Sequence, residues 1–296
     1  VEGEVTSKLL PLPEALGRFV RDGSSIVMGA GLEALVPFAA GHELVRQSRR
    51  DLTLIAPISD MLFDVLIGAG LANRVVAAWV GNVSAGSGHN FRRAVEEGIP
   101  CPVEVIDHSN LTLALALHAA ALGAPFLPTR SALGTDLLAG NPHLKETRCP
   151  FTGQKLVAAE ALAPDVAILP VQRADSEGSA HVLGNLGVIG DAARASRAVI
   201  VIADEIVPAG TIREDPNRTL IPGFLVSAVV HLPFACHPAP CHGRYGRDHA
   251  FFHDYHGRSR SREGFLAWLD EWVLGVASHD AYLARLGEGR LKSLRV

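Results

Sequence analysis

Short runs of Val, Ile and Leu alternate along this chain with longer Ala- and Leu-rich stretches, and each short run stops at glycine, proline or an acidic residue. That rhythm is the mark of βα units. The short runs predict strands over Ser25–Met28, Leu52–Ala56, Arg74–Val80, Val103–Asp107, Val166–Val171, Ala198–Ala203 and Ser227–Leu232. The longer stretches predict helices over Leu12–Arg18, Val36–Gln47, Met61–Ala69, Asn90–Glu97, Asn110–Ala121, Glu160–Leu162, Asp191–Ser196 and Glu263–Leu274. VAILPV, ending at Val171, and AVIVIA, ending at Ala203, are apolar at every position, as parallel strands are when helices cover both faces. The pattern predicts an α/β fold with an open, mostly parallel sheet flanked by helices. In such sheets ligands collect beyond the carboxyl ends of the strands, so those loops are where chemistry is expected.

With 296 residues, 48% of them hydrophobic and 20% charged, the chain can bury a large core, and residues 1–296 are read as one domain. Composition changes after His231, where His, Pro, Gly and Arg crowd together, and residues 231–296 are expected to wrap the core as a C-terminal extension. A net charge of −4 offers no basic face for a nucleic-acid backbone. Four scattered cysteines, Cys101, Cys149, Cys236 and Cys241, do not make a disulfide framework and fit a reducing compartment. The first ten residues carry no basic segment leading into an apolar one, and charges or glycines break every apolar run before a bilayer-spanning length. A cytoplasmic protein without membrane association is the expectation.

The run DGSSIVMGAG, Asp22 to Gly31, places a turn, a short strand and then Gly29-Ala30-Gly31. Glycines at a strand end let backbone amides approach a carbonyl or phosphate oxygen with no Cβ in the way. Asp22, Gly23, Ile26, Val27, Met28, Gly29, Ala30 and the downstream Pro37 resemble the signature of A-type chains of family I coenzyme A transferases. Further blocks resemble glutaconate-type A chains in the same order: Ala132-Leu133-Gly134-Thr135-Asp136, Asn141-Pro142, Cys149-Pro150-Phe151-Thr152-Gly153, Gln172-Arg173-Ala174-Asp175 and Asp204-Glu205-Ile206-Val207-Pro208. The chain departs from the family at Gly29-Ala30-Gly31, where Gly-Gly-Phe is frequent, and at Leu35, where glycine usually precedes the proline.

The resemblance implies the CoA-transferase/NagB-RpiA-like fold, with coenzyme A as a substrate, no permanently bound cofactor, and a B-type partner subunit. It also implies covalent catalysis through a glutamyl-CoA thioester, with the glutamate in a Glu-Asn-Gly or Glu-Ser-Gly tripeptide of that partner. No such tripeptide occurs here, so no catalytic residue is expected in this chain. Glu177-Gly178 comes nearest, and its ordinary reading is a solvated turn; Glu205 is read as structural.

A second loop, Gly81 to Asn90, is small and polar and can shape itself around an acyl chain, and because the resemblance implies that this loop reaches the acyl group, Asn82, Ser84, Ser87 and His89 are assigned to the substrate. Its bland alternative is a helix-entry loop with Asn90 as N-cap. Together with Gly29, Ala30, Gly31 and Glu33 beside the first loop, these are the expected substrate and CoA contacts. The segment around Asn185 is expected only to shape the site. Six of thirteen histidines lie between His231 and His256, but Cys236-His237 and Cys241-His242 match no zinc spacing, so no metal is expected. Two rival readings remain open: an acyl-CoA hydrolase or ring-opening subunit on the same scaffold, and a non-catalytic assembly subunit.

Overall fold

The computed structural model describes residues 7–296. The chain begins with α1 (Leu12–Phe19), β1 (Ser25–Val27), α2 (Phe38–Arg46), β2 (Leu52–Ile58), α3 (Met61–Gly68) and β3 (Ala72–Trp79). A small ribbon of β4 (Gly81–Asn82) and β5 (Gly86–Ser87) leads to α4 (His89–Glu96), β6 (Glu104–Asp107) and α5 (Asn110–Leu122). Next come β7 (Phe126–Thr129), α6 (Asp136–Gly140), β8 (Leu144–Arg148), β9 (Lys155–Glu160), β10 (Val166–Ala174), β11 (Ala180–His181) and α7 (Ile189–Ala195). The rest is β12 (Ala198–Ile206), α8 (Ala209–Arg213), β13 (Thr219–Ile221), β14 (Ala228–His231), α9 (His249–Ser259), α10 (Arg262–Leu269), α11 (His279–Leu286) and α12 (Glu288–Leu294).

Seven of these strands pair in parallel in the order β14-β12-β10-β1-β2-β3-β6. The chain works outward from β1 through β2 and β3 to β6, then returns to β10 on the other side of β1 and works outward again to β14. The strand order therefore reverses between β1 and β10, the place where open α/β sheets hold ligands. β1 reaches only Ala167 of β10, and β11 joins β10 in antiparallel register at Arg173 and Ala174. That edge of β10 has no strand partner between these pairings, and at this gap the chain leaves β1 as Met28-Gly29-Ala30-Gly31.

Both faces of the sheet are buried, with the period of two that strands impose. Ile26, Leu54, Val75, Ile168 and Ile200 point into one cluster; Val27, Ile55, Val76, Leu169 and Val201 point into the other. Each such side chain stabilises the fold by about 1.5–3 kcal/mol on full burial. The first cluster also contains Phe251, Tyr255, Phe265, Trp268 and Tyr282, so α9, α10 and α11 lie on that face. Local signals start these helices: the side chains of Asp248, Ser261 and Ser278 accept the amides of Phe251, Gly264 and Ala281.

The helix expected at Glu160–Leu162 is not formed. Glu160 instead ends β9, which sits between β7 and β8 in a separate three-stranded antiparallel sheet. Val157 and Ala159, buried at alternate positions of β9, pack with Leu144 against Leu115 and Leu137, and the strand pairings outweigh the weak helical bias of an Ala-rich segment that Pro164 closes off. Asn90 is not an N-cap either. Gly88 precedes α4, and the buried Asp64 carboxylate takes the Phe91 amide at 2.7 Å.

Candidate active site

The glycine loop turns sharply as it leaves β1. Gly29 has φ +83°, and a Cβ there would stand 2.8 Å from the Ile58 carbonyl oxygen at the end of β2. A Cβ on Gly31 would meet the Ala34 carbonyl at 2.7 Å. Leu32 and Leu35 hold left-handed φ values of 66° and 53°, a strained arrangement for branched side chains, and the Pro240 carbonyl fixes Leu35 through its amide at 3.1 Å. Among the described residues, the amides of Ala30 and Gly31 donate to no acceptor, although both residues are buried. Buried donors left open in this way are uncommon and suit an incoming oxygen.

A second strand end on the same side of the sheet carries Asp60, which has no exposed surface and φ 52°, ψ −152°, a conformation almost confined to glycine. Its carboxylate accepts the amides of Met61 and Val83, each at 3.0 Å, and pairs with Arg247. Burial pushes the Asp60 carboxyl up to about 6, against the pull of Arg247 and the two amides.

Of the residues assigned from sequence, Gly29, Ala30 and Gly31 line the gap beside β10, and Glu33 is exposed just beyond them. Glu33 joins the second loop through its carbonyl, which accepts Arg247 Nη1 at 3.2 Å. Ser84 lies in the same group: its Oγ accepts Arg247 Nε at 2.9 Å and stands 3.3 Å from His249 Nδ1. Asn82 is buried and turned inward, with its amide on the Phe252 carbonyl at 2.8 Å and its oxygen on the Ser84 amide at 3.0 Å. It shapes the loop. Ser87 is exposed and lines a cleft of about 300 Å³ with Trp79, Phe91, Arg92 and Asp107, at the β3–β6 end of the sheet and apart from the β1–β10 gap. His89 lies against His256, ring centroids 4.5 Å apart, and burial with the neighbouring cations holds its pKa down.

The opposite wall comes from the segment after β11. The Val188 amide donates to the Ala30 carbonyl at 2.8 Å, and Gly187 approaches so closely that a Cβ would sit 2.1 Å from that oxygen. Gln172, buried on β10, fixes this segment by exchanging hydrogen bonds with Leu183, its Nε2 to the carbonyl at 3.1 Å and its Oε1 from the amide at 3.0 Å. Glu177 belongs to a turn in which Asp175 accepts the amides of Glu177, Gly178 and Ser179 at 2.8–3.0 Å. Glu205 is held by Arg244 and by Arg173 at 2.9 Å, which lowers its pKa.

Asp60, Arg247 and His249 were not among the residues assigned from sequence. Asp60 looks like an ordinary N-cap before an apolar helix, and Arg247 stands in a stretch crowded with arginines, so neither has a local signal. Among the described residues no three His, Cys, Asp or Glu side chains gather to hold a metal ion. All four cysteines are free thiols. The arrangement provides buried amides without an acceptor at a switch point, with Ser84 tied to the same loop through Arg247. Such a site can bind and polarise a carbonyl oxygen.

No helix among the described residues is long and apolar enough to cross a membrane. Residues 11–232 match the coenzyme A transferase family. The chain is 39% identical over 284 residues to the A chain of 3-oxoadipate CoA-transferase from Pseudomonas knackmussii, covering 96% of this chain and 100% of that protein. It is 34% identical over 311 residues to the A chain of glutaconate CoA-transferase from Acidaminococcus fermentans, covering 98% and 95%. The crystal structure of glutaconate coenzyme A-transferase from Acidaminococcus fermentans superposes with a TM-score of 0.93 at 33% identity, over 98% of this chain and 96% of that one. The switch-point glycine loop, the parallel sheet around it and a likeness that spans nearly the whole chain lead to one conclusion: this protein belongs to the coenzyme A transferase family, as an A-type subunit.

Proposed function

We propose that this chain works with a B-type subunit in the cytoplasm, moving coenzyme A from an acyl-CoA to a carboxylic acid. The partner's glutamate carboxylate attacks the thioester carbonyl, forming an acyl-glutamyl anhydride and releasing CoA thiolate. The thiolate then attacks the glutamyl carbonyl, leaving a glutamyl-CoA thioester and the free acid; the acceptor acid runs the sequence in reverse. Splitting the exchange this way conserves the thioester's free energy at every stage.

In this reading the open amides of Ala30 and Gly31 receive the oxygen that gains negative charge when the thioester is attacked. That feature carries the proposal. Gly29 permits the turn, Glu33 and Ser84 contact the acyl group with Asn82 supporting Ser84, and Ser87, set apart from the β1–β10 gap, and His89 are left to the remainder of the acyl-CoA. The two relatives are named for 3-oxoadipate and glutaconate, both dicarboxylic acids, which favours an acyl group carrying a second carboxylate. Coenzyme A is a substrate, no cofactor stays bound, and residues 1–296 act as one unit.

Co-expression with a B-type subunit, incubation with acyl-CoA, and mass spectrometry of both chains test this. The expected result is acceptor-dependent exchange with the CoA adduct on a partner glutamate, unaffected by Glu177→Ala. An adduct on Glu177, or release of free CoA with no acceptor acid, would refute it.

A further inference from the structure

Arg247 stands on the strap Gly243–Asp248 and reaches into three loops at once. Its Nη2 pairs with Asp60 after β2, its Nε donates to Ser84 Oγ after β3 at 2.9 Å, and its Nη1 donates to the Glu33 carbonyl after β1 at 3.2 Å. Its guanidinium carbon lies 4.2 Å from the centre of the Phe252 ring. We infer that Arg247 is a positioning residue, which with Asp60 as its buried anchor locks the Ser84 loop onto the glycine loop in register for acyl transfer.

Four features carry this. A planar fork with five donors can bridge three acceptors in fixed directions, which a lysine ammonium cannot do. Asp60 sits in a glycine-like backbone conformation and persists there because the Met61 and Val83 amides and Arg247 all hold its carboxylate. Because Ser84 Oγ accepts from Arg247, its own proton is left for His249 Nδ1 or for a substrate oxygen, so Arg247 sets which way that hydroxyl donates. The strap is also anchored from behind, outside the site: the Gly246 amide donates to the Leu294 carbonyl at 2.8 Å, and Arg290 grips Asp248 at 2.5 and 2.8 Å. The guanidinium is thus held by the C-terminal helix and acts on loops more than 150 residues earlier in the chain.

The role in acyl transfer rests on the CoA-transfer reading, so the test has an arm that does not. Amide hydrogen exchange on the full chain is compared between wild type and Arg247→Lys. Faster exchange at Val83 and across 32–35, with β10 and β12 unchanged, supports the proposal; unchanged loops, or protection lost evenly over the sheet, overturns it. In the assembled enzyme, Arg247→Ala should lower kcat/KM for acyl-CoA by about 100-fold. Added methylguanidinium should restore part of kcat, and Arg247→Lys should stay impaired. Wild-type kcat/KM in both variants would overturn the proposal. A wild-type assembly that fails to exchange CoA would defeat the functional reading alone, leaving the exchange measurement to decide the role of Arg247.

Discussion

The Val188 amide and the Ala30 carbonyl, 2.8 Å apart, tie the segment after β11 to the loop after β1. This bond spans one side of the gap that the short β1 leaves beside β10, and it puts two glycine-dependent turns in direct contact at the switch point. Each turn thereby becomes sensitive to a single added methyl group.

Gly187→Ala is the sharpest case. Gly187 has φ +48°, and the new Cβ would lie 2.1 Å from the Ala30 carbonyl, a backbone atom that no rotamer change can move aside. The substitution should destabilise the chain by about 1–3 kcal/mol and reduce CoA exchange by displacing Ala30. Urea unfolding together with exchange assays checks it; a variant equal to wild type in both would show that the turn relaxes freely.

Gly29→Ala and Gly23→Ala separate crowding from backbone strain. Both glycines have positive φ, +83° and +79°, but a Cβ on Gly29 meets the Ile58 carbonyl at 2.8 Å while one on Gly23 has nothing within 4 Å. Gly23→Ala should cost about 1 kcal/mol through strain alone, and Gly29→Ala distinctly more. Equal denaturation midpoints for the two variants would count against the close approach of β1 and β2. Gly29→Val, in turn, perturbs the fold as well as the site.

Acid should loosen the helical face first. Burial holds His42 down to about 3 and His279 down to about 4, and both pack against Tyr282. These folded-state values lie below the ordinary 6.5, so the unfolded chain binds protons that the folded chain refuses. Stability from both groups is complete above about pH 6.5 and declines as pH falls toward 4, by up to about 1.4 kcal/mol per pH unit for each. His42 Nε2 has no hydrogen-bond partner, so His42→Met should flatten the slope without weakening the fold at pH 7. Denaturation midpoints from pH 7 to pH 4 measure it, and an unchanged slope would exonerate His42.

Tyr255→Phe should destabilise the chain by about 1–3 kcal/mol. The Tyr255 hydroxyl donates to the buried Asp64 carboxylate at 2.5 Å, and Asp64 also receives the Phe91 amide at the start of α4. Burial raises the Asp64 pKa and drives that of Tyr255 well up, and the Asn90 side-chain amide supports both, donating to Asp64 Oδ2 at 3.3 Å and to Tyr255 Oη at 3.1 Å. Removing one hydroxyl leaves a carboxylate short of a donor in an apolar layer. Chemical denaturation checks the cost, and a neutral substitution would mean that Asp64 is protonated in the native state.

Segments such as Val166–Val171 and Ala198–Ala203 were legible in the sequence because a strand covered on both faces is apolar at consecutive positions, and that is a local property. The glycine loop was legible for a similar reason, since a turn that needs positive φ beside a neighbouring carbonyl leaves glycines at fixed positions. The strands around Val157 were not, because half-exposed antiparallel segments such as Leu144–Arg148 and Lys155–Glu160 mix polar and apolar residues over too few positions to separate from helix or loop. Tertiary structure alone decided the union of Asp60 and Arg247, 187 residues apart. It also decided that Asn82 turns inward while Ser84 meets His249. Composition near Arg247 offers many arginines and no reason to prefer one. Only the packing of α9 and α12 behind the strap selects which guanidinium reaches the loops, because a long-range pairing is set by where the chain is brought together and not by which residues stand beside it in sequence.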